Sequence, residues 1–249
     1  MAKVIINRPE RRNAFSISMW NDLIDIVRDL ESDPEVRVVV ITGAGTTAFG
    51  AGADITEMQE NYPPVKDGKR AHPVRTATGL LTRARKVYIA MVNGFAIGGG
   101  CELAVACDLR VAVDTAKLGI TSAKMGICIS FNDIQLLVGL VGPSRAKAIL
   151  FSGRLVSAQE AISMGLVDYV VPREDLEPFT MGLAQEIAEN APLSVLWAKK
   201  SINRIMGVDR DDGQGGPEID WSETCFETWD FREGVKAFLE KRKPDFQGR

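Results

Sequence analysis

Three consecutive glycines, Gly98-Gly99-Gly100, stand between an apolar run and a segment with the composition of a buried helix. The run is Val87 to Val92, closed by Asn93-Gly94, and the segment is Glu102 to Cys107. Strand, glycine turn and helix in that order restrict the chain to folds where a strand end feeds a helix start. Glycine supplies the backbone angles and the close approach that such a joint needs. The first amides of a helix lack partners within it, and the dipole favours negative charge at that end. The turn is therefore a candidate anion site, with Glu102 beside it in the first helical turn.

The same unit, strand, turn and helix, recurs about four times without identity between copies. Val4 to Ile6 reads as a short strand. Residues 16 to 31 read as a helix capped by Ser16, with Met19, Trp20, Leu23, Ile26, Val27 and Leu30 at helical spacing. Val36 to Thr42 is a β-branched run suited to a strand buried on both faces. Gly43-Ala44-Gly45-Thr46-Thr47-Ala48 fits a dinucleotide-binding fingerprint literally, but the glycines of Phe49 to Asp54 occupy the place of its helix, and no second strand with a terminal acid follows. Ala51 to Ile55 is better read as a second glycine turn leading to a short helix over 56–60. Asn61 to Ala71 reads as a polar surface loop, and residues 74 to 86 as a basic helix burying Leu80 and Leu81.

Leu109 to Val113 is a further strand. A helix from Asp133 is expected to stop at Gly142-Pro143, with another from Ser144 to Phe151. Ser157 caps a helix ending at Met164 with Gly165 as its stop, and Val167 to Val171 is the last strand. Residues 175–190, 192–206 and 221–242 read as helices, with 209–217 as a connector. The expected division is a core over 1–190 and a helical region over 191–249, parted near Asn190-Ala191-Pro192.

The net charge of −3 and pI near 5.4 supply no broad basic surface for nucleic acid. His72 is the only histidine, which rules out a histidine-cluster metal site, and at its loop edge it reads as a surface residue. Cys101, Cys107, Cys128 and Cys225 have no zinc-like spacing and read as free thiols of a reducing compartment. The apolar stretch Tyr88 to Cys107 is broken by Asn93, glycines and Glu102, so no membrane span is expected there. The expected location is cytoplasmic.

Several pieces together resemble the crotonase, or enoyl-CoA hydratase/isomerase, superfamily over essentially the whole chain. They are Asn7-Arg8-Pro9-Glu10-Arg11-Arg12-Asn13-Ala14, Phe49 to Ile55, Asn93 to Leu103, Ala106-Cys107-Asp108 and Phe238 to Lys243. The resemblance implies an α/β spiral of ββα turns with a C-terminal helical trimerisation region, as a homotrimer or a hexamer formed from two trimers. It implies an acyl-CoA substrate, with coenzyme A as part of the thioester and no permanently bound cofactor or metal, and a place in fatty acid metabolism.

In the family, the amides matching Ala51 and Gly99 form an oxyanion hole for the thioester carbonyl. Gly52, Ala53, Asp54, Ile55 and Gly98, in the same two turns, are with Ala51 and Gly99 the expected substrate- and CoA-binding residues, while Arg12 and Lys241 match positions that meet the CoA nucleotide or are plain surface charge. Glu102 matches the first of two glutamates that act on water; it is otherwise a helix-capping acid. Ser122 stands where hydratases carry the second glutamate. Asp133 is a helix cap or, if the loop folds differently, a second carboxylate. The resemblance implies an enoyl-CoA hydratase with a non-standard second acid. Alternatives are an isomerase, another crotonase-type lyase or hydrolase, and a non-catalytic protein that binds acyl-CoA or a protein partner.

Overall fold

The computed structural model describes residues 1–57, 65–66, 69–70, 73–208 and 221–249. β1 (Ala2–Ile6) and α1 (Ile17–Ser32) lead into β2 (Val38–Gly43) and β3 (Ala48–Gly50). The short pair β4 (Val65–Lys66) and β5 (Lys69–Arg70) precedes α2 (Pro73–Arg83). β6 (Val87–Val92), β7 (Phe95–Ile97) and α3 (Gly99–Ala106) form the centre. β8 (Leu109–Val113), β9 (Lys117–Gly119), α4 (Phe131–Ser152), β10 (Val156–Ser157), α5 (Ala158–Met164), β11 (Tyr169–Val171) and α6 (Leu176–Glu189) complete the spiral. α7 (Pro192–Ile205), α8 (Trp221–Thr224) and α9 (Trp229–Glu240) follow.

Apart from the two-stranded β4-β5 pair, the strands form two sheets. One is parallel throughout in the order β1-β2-β6-β8-β11; in the other, β3, β7 and β9 are parallel and β10 pairs antiparallel with β9. Each of β2-β3-α2, β6-β7-α3 and β8-β9-α4 gives one strand to each sheet and then a helix, so the expected repeats resolve into three full turns and flanking partial ones. All residues of β2 and β6 are buried, which explains their unbroken β-branched and apolar composition. Each fully buried Val or Ile there contributes about 1.5–3 kcal/mol.

Several boundaries move. In α1 the buried stripe is Trp20, Leu23, Ile24 and Val27, and Ile26 is exposed, because 100° spacing carries it off that face. Ser16 caps α1 by accepting from Met19 N at 3.1 Å. The Gly43 to Ala48 stretch joins two strands with no helix after it, which excludes the dinucleotide fingerprint. Asn93 fixes this link, donating to Gly43 O at 2.8 Å and Gly45 O at 2.7 Å. The expected helix over 221–242 is interrupted, since Thr228 turns extended and caps α9 by accepting from Phe231 N at 3.1 Å.

α4 runs through the expected stop at Gly142, but as two helices across a kink, where Gly142 takes φ 75° and ψ 163°. It is the one helix among the described residues long and apolar enough to match a membrane span; it is broken at Gly142, carries Pro143 and buries Asp133. α7 docks on the spiral through Lys199, whose Nζ donates to Lys86 O at 2.7 Å and pairs with Asp108 Oδ2 at 2.8 Å. The short helix over 56–60 is described only as far as Glu57, and His72 and the 209–217 connector lie outside the described residues. Of the loop over 61–71 only the β4-β5 pair is described.

Candidate active site

The triple-glycine turn is built by α3 itself. Gly98, at φ 55° and ψ −124°, is the residue before the helix, and Gly99 and Gly100 are its first two residues, earlier than the composition of 102–107 marks its start. The turn carries glycine because another backbone lies against it. A Cβ on Gly100 would stand 2.1 Å from Gly50 O, and one on Gly52 would meet Ile97 O at 3.0 Å and Gly99 N at 3.6 Å. The two glycine turns expected from sequence therefore touch. Beneath them, Phe15 and Trp20 stack at 4.0 Å between centroids, and a Cβ on Gly99 would be 3.1 Å from Trp20 Cζ2.

The second turn is held by a strained loop. Arg12 and Asn13 both take left-handed angles, φ 52° and 57°. Asn13 compensates with its buried side chain, which donates to Ala44 O at 3.0 Å and Ala48 O at 2.7 Å and accepts from Arg8 N at 3.0 Å. The loop aims Arg12 O at Ala51 N, which donates to it at 3.1 Å.

A cavity of about 110 Å³ opens over both turns. Of the sequence-derived residues, Ala51, Gly52, Ala53, Ile55, Gly98, Gly99, Glu102 and Ser122 line it, whereas Asp54, Asp133, Arg12 and Lys241 do not. Asp54 has a structural place: it pairs with Arg8 at 2.9 Å and caps the helical turn at Ile55 by accepting from Thr56 N at 3.1 Å. Burial pushes its carboxyl up, but the Glu57 amide and the Arg8 guanidinium outweigh that and leave it below its ordinary value. Arg12 and Lys241 are exposed. Lys241 follows α9 in the left-handed conformation that ends it.

Glu102 is 7% exposed in the first turn of α3. Burial, and then the charge of Asp133, push its carboxyl up to about 8. The helix terminus, which favours the ionised form, does not overcome this. Asp133 is thus near Glu102 even though it is off the cavity wall.

The expectation of Asp133 as a helix cap is corrected. The cap of α4 is Ser130, which accepts from Asp133 N at 3.2 Å; Asp133 lies three residues on, and its Oδ2 accepts the Ser130 hydroxyl at 2.6 Å. Its carboxylate is 2% exposed. The Ser-x-x-Asp spacing before an apolar run is a capping signature that could have marked Ser130 in advance. Sequence reasoning also missed Val74, Thr121 and Met125 on the wall, which carry no local signal. Cys128 lies at the exposed edge, while burial pushes the Cys101 thiol up to about 12.

The arrangement can place a carbonyl oxygen against main-chain amides and its neighbouring carbons near a carboxyl that titrates close to neutrality. Among the described residues no group of three metal-ligating side chains is present.

The sequence profile of the family described as enoyl-CoA hydratase/isomerase matches residues 1–249. A crotonyl-CoA hydratase of Syntrophomonas wolfei is 39% identical over 246 residues, covering 99% of this chain and 94% of the relative. An (E)-benzylidenesuccinyl-CoA hydratase of Thauera aromatica is 36% identical over 252 residues, covering 100% and 96%. The crystal structure of an enoyl-CoA hydratase from Bacillus anthracis superimposes with a TM-score of 0.85 at 36% identity, covering 99% of this chain and 95% of that one.

Proposed function

Because this chain belongs to the enoyl-CoA hydratase/isomerase family, we propose that it hydrates a 2-enoyl-CoA through a thioester enolate, with Glu102 moving the proton. The observation that carries this reading is that a buried carboxyl opens onto the same small cavity as two touching glycine turns. Gly99 N and Ala51 N are the proposed oxyanion donors; one preorganised donor is worth about 3–4 kcal/mol in such a transition state. The Ala51 amide, already engaged by Arg12 O, receives the enolate oxygen as a second acceptor, a shared geometry common at helix ends and turns. A carboxyl near neutrality gives or takes a proton at physiological pH, as addition and removal of water both require.

The CoA nucleotide extends beyond a cavity of about 110 Å³, so exposed Arg12 and Lys241 are kept as proposed contacts to it. The substrate brings its own coenzyme A, and no permanent cofactor or metal is invoked. We propose the 191–249 region as the assembly surface of a homotrimer or a pair of trimers; it exposes Phe231, Val235, Leu239 and, at 82%, Phe238. Free buried thiols at Cys101 and Cys107 support a reducing, cytoplasmic setting, and fatty acid metabolism is the proposed context.

The test is spectrophotometric. Crotonyl-CoA mixed with the protein should lose its conjugated-thioester absorbance, and Glu102→Gln should bind the thioester without turning it over. Growth of that absorbance from a 3-enoyl-CoA, with crotonyl-CoA untouched, would replace hydration by isomerisation. Binding with no change in either would remove the reading.

A further inference from the structure

We propose that Asp133, acting through the Ser130 hydroxyl, is the second proton-handling group of this site and supplies the transfer for which Ser122 has no carboxylate. The inference rests on the enolate reading above and extends it to a residue pair in the 130–133 turn.

The geometry is a short relay. Ser130 lines the cavity, and its Oγ is 2.6 Å from Asp133 Oδ2. Asp133 lies behind it, 2% exposed, close enough to Glu102 for its charge to help hold that carboxyl protonated. The cavity wall therefore holds Glu102 and Ser130, and the Ser130 hydroxyl is bonded to Asp133. A hydroxyl can donate and accept together, so the Ser130–Asp133 contact serves a proton moving in either direction. Ser122, also on the wall, offers a hydroxyl that does not ionise.

Capping accounts for the Ser-x-x-Asp spacing but not for the burial of the carboxylate. A cap needs only the bond from Asp133 N to Ser130 Oγ, at 3.2 Å. A solvent-facing acid at the same helical position would favour the dipole equally well. Burying it beside a second buried carboxyl costs free energy, because both cannot ionise freely at close range. A buried carboxyl pushed out of its ordinary range, as Glu102 is, is characteristic of a site of proton transfer.

The step balances. At rest the pair holds one proton, on Glu102, and Asp133 accepts the Ser130 O–H. The water oxygen bonds to the β-carbon as one of its O–H bonds breaks. That proton passes to Ser130 Oγ while the Ser130 proton passes to Asp133 Oδ2, and the C=C electron pair moves to the thioester oxygen. As the enolate collapses, Glu102 gives its proton to the α-carbon. The product is a 3-hydroxyacyl-CoA, and the pair still holds one proton, now on Asp133, which returns to Glu102 when the site empties. Dehydration runs the same steps backwards.

The experiment uses the full-length protein with crotonyl-CoA. Ser130→Asn is decisive, since Asn caps a helix as well as Ser but has no hydroxyl. It is expected to keep the unfolding midpoint and lower kcat by about 10²- to 10³-fold, the range for loss of a positioned acid or base, with KM within about threefold. Ser130→Thr retains the hydroxyl and should hold kcat within about tenfold. Asp133→Asn should fall as Ser130→Asn does; if it does not fold, Ser130→Asn alone decides. Wild-type kcat in Ser130→Asn, with Glu102→Gln inactive, would overturn the relay and leave the enolate reading standing. Activity in Glu102→Gln, or none in the wild type, would remove that reading and the relay with it.

Discussion

Replacing Glu102 by Gln should stabilise the protein at neutral pH while stopping turnover. Its carboxyl rises from 4.5 to about 8 on folding. Between those values the unfolded chain is ionised and the folded one is not, so the folded state binds the extra proton. Stability is therefore full below pH 4.5 and declines as pH rises toward 8, by about 1.4 kcal/mol per pH unit. At pH 7 the accumulated loss is about 3 kcal/mol. Gln keeps the shape and removes the ionisation, so its curve should lack this slope. Urea unfolding of both proteins at pH 5, 6, 7 and 8 measures the difference, in which other titrating groups largely cancel. We expect near equality at pH 5 and a variant about 2–3 kcal/mol more stable at pH 7, with a Tm higher by about 5–10 °C. Parallel curves, or a variant less stable at pH 7, would refute the claim that burial holds Glu102 protonated.

Other perturbations probe the frame around it. Gly100→Ala places a Cβ 2.1 Å from Gly50 O; the two turns must part, with an expected loss of about 3 kcal/mol by denaturant titration and of hydratase activity. Asn13→Ala removes three side-chain hydrogen bonds and leaves Ala in a left-handed conformation; a cost of about 2–4 kcal/mol and a drop in kcat larger than the change in KM are expected. Lys199→Met breaks the pair between buried Lys199 and part-exposed Asp108, whose carboxylate still accepts from Tyr88 N; destabilisation of about 1–3 kcal/mol is expected, and a change under about 1 kcal/mol would mean that α7 docks by other contacts.

What the sequence disclosed was what local chemistry decides. The β-branched run of β2, the caps at Ser16 and Ser157, the break at Gly142 and the glycine stop at Gly165 all follow from neighbours in the chain. The glycine turns were readable too, and the crowding between Gly50 and Gly100 is the physical reason glycine is there. The nearness of Asp133 to Glu102 was not readable. It depends on where the 120–130 segment is carried after β9, a path set by tertiary packing. For the same reason Asp54, which resembles a substrate-turn residue, proved to be engaged with Arg8, and Ile24 rather than Ile26 took the buried place on α1.

Under the proposed enolate function, the Arg12 carbonyl on the Ala51 amide bears on what the pocket selects. An arriving thioester meets a donor that already has a neutral acceptor, so its own neutral oxygen gains little by competing. Once negative charge develops on that oxygen it becomes the stronger acceptor, and charge-assisted hydrogen bonds are about twice as strong as neutral ones. On that proposed reading, the strained loop at Arg12 and Asn13 sets a threshold, with the pocket less responsive to the resting ester than to its activated form. Such a threshold would withhold binding energy from the substrate and release it at the barrier.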